Sequence, residues 1–290
     1  MCLLGLKQQM KNIEATTLSI HTAVVGTSVS APRTPRISKQ HMQTLQFIHR
    51  FRHVTTKHVQ AMLSHSSLHS SQKQLTLLAR KGYLERHYNS ADRSSNHYAS
   101  YFLTPKGLDL LQGYKGGSGV RSRRSVKTDA RLSTANKIRC HALADVYCYF
   151  KSHYNGRFEF FVAHDLADFD YFPDPSPDAY VRVTQADQTI RHYFVEIYGT
   201  GRSTYAQTKR LVSYVAYAES GEWGHSIGTL NPSLLILTAS AASQARLRAQ
   251  LQYLLQDCFA DDFCIFTASK GQLAAADNRD IWHELHHRKM

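Results

Sequence analysis

The chain has 290 residues, a formal net charge of +13 and 42% hydrophobic residues. This composition excludes disorder along the whole chain, and the length favours two domains over one. No apolar run reaches the roughly 18 residues that a membrane span needs, so we expect no membrane partner. The five cysteines are odd in number and form no Cys-x-x-Cys motif, which argues against a disulfide framework and favours a reducing cytoplasm.

Charge is distributed very unevenly along the chain. Residues 1–139 carry 22 Lys and Arg against 5 Asp and Glu, a net +17, whereas residues 140–290 carry 13 against 17, a net −4. A polyanion-binding module joined to a separate domain would produce this division. The sequence therefore predicts double-stranded DNA as a partner of the first half.

The first predicted elements follow a leader of residues 1–36, which we expect to be flexible. Ser38 is a candidate N-cap for a helix that buries Met42, Leu45 and Ile48, and a short second helix follows Thr56. The pattern then predicts a third helix over about 69–81, strands over 83–88 and 98–103, and a return helix from residue 104. Three helices and a two-stranded ribbon predict a winged helix-turn-helix over residues 37–112.

In a winged helix the third helix enters the major groove of DNA. Its predicted outer face carries polar and basic side chains suited to base and phosphate contacts, namely His69, Gln72, Lys73, Thr76 and Arg80. Arg93, at the tip of the predicted wing, could contact the DNA backbone or minor groove. The alternative is that this face is only solvated and that the module binds proteins.

Residues 113–130 are rich in Gly, Ser and basic side chains. This composition predicts a flexible linker between the domains. Arg121, Arg123 and Arg124 could add phosphate contacts that do not depend on DNA sequence. A charged linker without any DNA contact is the alternative.

The second domain is predicted over residues 131–290. The expected order is a helix, three strands, a helix, a strand, a helix and a strand, which resembles the core of PD-(D/E)XK nucleases. The predicted fold class is therefore α/β (α+β), with the winged helix followed by a restriction-endonuclease-like mixed sheet. Asp178 and Glu196 occupy the positions at which that superfamily holds Mg²⁺, and two carboxylates with water and phosphate suit this ion.

The order of several short motifs resembles the replication-relaxation family of plasmids and mobile elements. The matching segments lie between about residues 38 and 285 and comprise residues 141–146, 177–178, 194–200, 208–214 and 280–282. The resemblance implies a winged helix, a nuclease-like second half, and a role in the replication or transfer of a mobile element. It also implies that Asp178 and Glu196 are candidate metal ligands and that DNA nicking or cleavage is a possible activity.

One position departs from the nuclease pattern. Tyr198 stands two residues after Glu196, where active nucleases of this superfamily carry a lysine. Lys209 on the next helix could replace it, because it shares a helical face with Tyr205 and Val212 and could lean toward the sheet. Without this replacement, the second half would be a non-cleaving scaffold.

Two other function classes stay open. A non-enzymatic transcriptional regulator would use the second half as a degenerate scaffold or for dimerisation, and a homodimer is compatible with either reading. His283, Glu284 and His287 match the helical zinc-protease pattern, but so close to the end of the chain a chance match is expected. No phosphate-binding loop is present, which argues against a nucleotide cofactor.

Overall fold

In this computed structural model the structure describes residues 37–88, 98–115, 121–199, 203–255, 262–276 and 280–285. The predicted leader and Arg93 lie outside the described residues. Ser38–Met290 form one compact unit. The two predicted domains are therefore two parts of a single unit, called here the N-terminal part (residues 38–115) and the C-terminal part (residues 134–285).

In its described residues, the N-terminal part has four helices and three short strands. They are α1 (Lys39–Phe51), β1 (Val54–Thr55), α2 (Thr56–Leu63), α3 (Leu68–Arg80), β2 (Leu84–His87), β3 (Ser100–Leu103) and α4 (Pro105–Lys115). The strands form one antiparallel sheet in the order β1-β3-β2. Ser38 caps α1 as predicted, because its side chain accepts a hydrogen bond from the His41 N–H.

The second half of the predicted linker is ordered. Residues Arg123–Asp129 form helix α5, which Ser122 caps, and its Val126 and Asp129 are buried. The prediction of an uninterrupted flexible linker over residues 113–130 is therefore wrong, because α5 buries an apolar residue and a paired carboxylate against the N-terminal part.

The C-terminal part begins with a long helix and contains a six-stranded sheet. Its elements are α6 (Thr134–Tyr154), β4 (Phe158–Val162), β5 (Ala179–Thr184), β6 (Ile190–Ile197), α7 (Thr204–Ser220), α8 (Glu222–Ile227), β7 (Ser233–Thr238), α9 (Ala241–Leu254), β8 (Ile265–Ser269), α10 (Lys270–Ala274) and β9 (His283–Leu285). Strands follow chain order across the sheet, β4-β5-β6-β7-β8-β9. Pairing is antiparallel from β4 to β6, parallel from β6 to β8, and antiparallel again for β9.

This arrangement confirms the predicted mixed α/β class. The last predicted strand begins at Ile265 instead of near Phe263, and β9 adds an edge strand that the sequence reading did not predict. β9 contains His283 and Glu284, so these two residues lie on a strand. The zinc-protease pattern needs them on one helix with a second histidine a turn later, and this requirement is not met.

Side chains alternate between the two faces of the sheet, and each face has its own core. Phe194 of β6 and Tyr198, directly after this strand, face an apolar cluster that includes Trp223 and Leu211. Tyr193, on the opposite face of β6, lies against Phe150 of α6, with ring centroids 6.2 Å apart. Glu196 shares the face of Phe194, so a carboxylate enters an otherwise aromatic core.

Helix α6 also holds the N-terminal part. His58 Nε2 lies 2.8 Å from Asp145 Oδ1, and Lys151 Nζ donates to the Ala61 carbonyl at 2.9 Å. Ser100 Oγ lies 2.9 Å from His141 Nε2. These contacts place α6 between the sheet and the N-terminal part.

Candidate functional site

Helix α3 presents two different faces. Its buried side carries Ser71, Gln74, Leu75 and Leu78. Its other side exposes the five residues that the sequence predicted as DNA contacts, which are His69, Gln72, Lys73, Thr76 and Arg80. The helix contains no Asp or Glu, so its outer face has no negative side chain of its own.

The position of α3 is fixed at its first turn and in its middle. Ser67 caps its first turn by accepting from the Ser70 N–H. In the middle of the helix, Gln74 Nε2 donates to Thr44 Oγ1 at 2.8 Å and to the Gln40 carbonyl at 3.1 Å, both on α1. A polar anchor in an apolar interface holds the helix in one rotational setting, which keeps the basic face outward.

The three arginines predicted to bind phosphate differ in their surroundings. Arg121 is 9% exposed, and its guanidinium donates to both carboxylate oxygens of the fully buried Asp129 at 2.8 Å. Its assignment as a DNA contact is therefore wrong, because its donors are used inside the protein. Arg123 is exposed and pairs with Asp109 at 2.8 Å, and Arg124 is exposed on α5.

The two predicted metal ligands do converge. Ala179 pairs with Val195 and Tyr180 with Phe194, so continuing this register by one residue places Asp178 directly opposite Glu196. Both side chains therefore lie on the same face of the sheet. Asp178 Oδ2 accepts the Ile197 backbone N–H at 2.8 Å, which fixes its carboxylate beside β6.

Arginines fill the space around these carboxylates. The Arg139 guanidinium, from α6, forms a short ion pair with Asp178 Oδ1 and lies 3.9 Å from Glu196 Oε2. Arg210, from α7, donates through Nε to Glu196 Oε1 at 2.7 Å and makes a second, shorter contact with the same oxygen. The sequence reading missed both arginines.

Burial strengthens the electrostatic interactions between the members of this network. Glu196 is fully buried and Arg210 is 5% exposed. Burial acts to lower the pKa of Arg210, but the adjacent Glu196 more than offsets it, so the pKa is raised and the guanidinium stays charged. Tyr214 donates to Glu196 Oε1 at 2.7 Å, and burial followed by the negative charge of Glu196 raises the pKa of this tyrosine. It therefore remains a neutral donor.

Lys209 does not take part in this network. It is exposed on α7, and its predicted face mates Tyr205 and Val212 are 78% and 48% exposed. The prediction that Lys209 leans toward the sheet is therefore wrong: the helical phase points its neighbour Arg210 inward instead. Tyr198 is buried, and its hydroxyl donates to the Gln207 carbonyl at 3.0 Å.

The residues around Asp178 and Glu196 do not fit the expected Mg²⁺. Magnesium needs nearly octahedral oxygen ligands, whereas guanidinium groups contact both carboxylates here. Within the part of the chain that the structure describes, no group of three or more His, Cys, Asp or Glu side chains could hold a metal ion.

Among the described helices, none combines the length and hydrophobicity of a membrane span.

The mixed α+β architecture with two sheets is the fold class that the sequence predicted. The sequence model for replication-relaxation proteins matches residues 45–231, more than half of the chain. The chain belongs to the replication-relaxation family, as the sequence predicted. No curated protein and no solved structure matches it. Membership points to a role in the replication or transfer of plasmids or other mobile elements.

Proposed function

We propose that the N-terminal part is a winged helix that binds double-stranded DNA during replication or transfer of a mobile element, and that the C-terminal part does not cut this DNA. The outer face of α3 is the observation that carries the proposal. It exposes a lysine, an arginine, a histidine and two polar side chains. The surrounding sequence is equally one-sided, because residues 15–84 contain no Asp or Glu.

The dimensions and chemistry of α3 suit the major groove. A helix of 13 residues is about 20 Å long, and the major groove is wide enough to admit it. Near its N-terminus, Gln72 has the donor and the acceptor that read an adenine edge, and Lys73 can donate to the acceptors of a guanine edge. Arg80, two turns further on, is placed to contact phosphate, which sets orientation without reading sequence.

The salt dependence of binding tests this assignment. Fluorescence anisotropy would compare duplexes from the parent replicon with random-sequence duplexes over a series of salt concentrations. For Lys73→Ala/Arg80→Ala we expect the magnitude of the log–log salt slope to fall by about 0.9, since Arg80 is assigned one phosphate contact and each such contact contributes about 0.9.

The matched control is Lys209→Ala/Arg246→Ala, which removes the same charge from exposed positions on α7 and α9. We expect it to leave the slope unchanged. Equal changes in both double variants would mean that binding follows net charge and does not use the α3 face.

Cleavage is the second candidate, and the convergence of Asp178 and Glu196 is the observation in its favour. The arginines that contact both acids count against it. Supercoiled plasmid incubated with the protein and Mg²⁺, Mn²⁺ or EDTA should stay intact. Metal-dependent nicking that disappears in Asp178→Ala/Glu196→Ala would overturn the non-cleaving assignment and identify a nuclease.

A further inference from the structure

We infer that Arg139, Asp178, Glu196, Arg210 and Tyr214 form a closed ion network that replaces a divalent-cation site and fastens α6, the segment just before β5, β6 and α7 to one another. This network is called the arginine lock. The inference does not depend on DNA binding by α3, because it concerns only the chemistry inside the C-terminal part.

The carboxylate oxygens already have partners. Asp178 Oδ1 contacts Arg139, and Asp178 Oδ2 accepts the Ile197 N–H. Glu196 Oε1 receives donors from Arg210 and Tyr214, while Oε2 lies 3.9 Å from Arg139. A metal ion would have to displace charge-assisted hydrogen bonds, which are about twice as strong as neutral ones.

The charges also balance without a metal. Two carboxylates directly opposite each other on neighbouring strands repel, so the pair needs positive charge nearby. Arg139 and Arg210 supply two positive charges for two negative ones. A divalent cation added to these four groups would leave a buried excess of +2, which is costly in a medium of low dielectric constant.

The positive charges of the arginine lock persist over the ordinary pH range. A guanidinium does not lose its proton in proteins, and its planar donors can engage several oxygens at once. Arg210 uses this capacity to contact the Ser176 carbonyl as well as Glu196. The lock therefore joins the loop before β5 to β6 and α7. The two arginines keep their charge over the ordinary pH range, so deprotonation does not release them from the carboxylates.

Manganese binding tests the inference directly. Electron paramagnetic resonance would count Mn²⁺ bound to the wild-type full chain and to Asp178→Asn/Glu196→Gln. We expect the two proteins to bind equal numbers of ions, because any Mn²⁺ held by histidines elsewhere is common to both. One additional ion on the wild-type protein would overturn the inference.

A second measurement needs only the wild-type protein, in case the double variant fails to fold. The urea midpoint would be determined in MgCl₂ and in NaCl of equal ionic strength. Ligand bound only to the folded state raises stability by mass action, so a metal site would move the midpoint upward. We expect no difference between the salts, and a higher midpoint in MgCl₂ would contradict the arginine lock.

Discussion

The outer face of α3 and the arginine lock use the same residue types in opposite ways. Arg80 and Lys73 stand exposed on a helix without acids, whereas Arg210 is buried against Glu196 and Tyr214. An uncompensated exposed charge is available to a polyanion, while a compensated buried charge holds the protein together. The location of each charge, more than the composition, therefore separates the predicted DNA contact from the internal scaffold.

The largest expected effect distinguishes two adjacent residues of α7. Arg210→Ala leaves Glu196 buried beside Tyr214 without its closest cation, so the free energy of unfolding should fall by about 3–5 kcal/mol. Lys209→Ala removes the same charge from an exposed position and should change it by less than about 0.5 kcal/mol. Urea unfolding at neutral pH measures both, and equal losses would mean that Arg210 is not part of a buried pair.

Acidification should weaken the N-terminal part at His53. Burial lowers the pKa of His53 to about 4, and its Nδ1 lies 2.9 Å from Ser100 Oγ while Nε2 lies 2.9 Å from the Asp129 carbonyl. A histidine in the unfolded chain has a pKa of about 6.5. Between these two pH values the unfolded state binds a proton that the folded state does not bind. The free energy of unfolding therefore falls as the pH drops toward 4.

The full contribution of His53 is about 3 kcal/mol, from roughly 1.36 kcal/mol per pKa unit. Urea unfolding at several pH values between 7 and 4.5 would measure it, with His53→Gln as the comparison because glutamine retains a donor and an acceptor. The variant should lose less stability on acidification than the wild-type protein. Some dependence should persist, because burial also lowers the pKa of His192 to about 4.

Helices and strands were readable from the sequence because local signals agreed with burial. Ser38 caps the helix that it precedes, and the apolar spacing of Met42, Leu45 and Ile48 marked the buried side of α1. The acid pair was also found, since a glutamate inside an apolar strand is unusual. Its arginine partners were not, because Arg139 lies 39 residues from Asp178 in the chain, and the separation alone predicts no contact.

The orientation of α7 explains why the sequence analysis selected Lys209 instead of its neighbour Arg210. Lys209 and Arg210 are both basic, and the motif of active nucleases directed attention to the lysine. The burial of Leu211 and Tyr214 places Arg210 on the inward side instead. Helix α5 was also missed, because the predicted linker begins with a Gly-rich stretch and because Asp129 pairs with Arg52, 77 residues away in the chain, as well as with the nearby Arg121.

A moderate effect is expected from the predicted base contact of α3. Gln72→Ala should weaken binding to the preferred duplex by about 1–3 kcal/mol and leave binding to random DNA nearly unchanged, because a base contact discriminates sequence. Gln252→Ala on α9 is the matched control, since Gln252 is also exposed on a helix. Anisotropy titrations with both duplexes would measure the difference, and equal weakening on both would assign Gln72 to the phosphate backbone.

The smallest expected change in DNA binding separates two arginines that are close in sequence. Arg124→Ala should lower the salt slope of DNA binding by about 0.9 if this exposed side chain meets one phosphate, without changing the urea midpoint. Arg121→Ala should do the reverse: the DNA salt slope of the folded protein stays constant, while stability falls because buried Asp129 keeps only Arg52 as a paired cation among the described residues. If both variants altered only the slope, Arg121 would leave its buried pair to reach DNA. If both altered only stability, α5 would be a purely structural helix, and the exposed charges of α3 alone would have to account for the affinity.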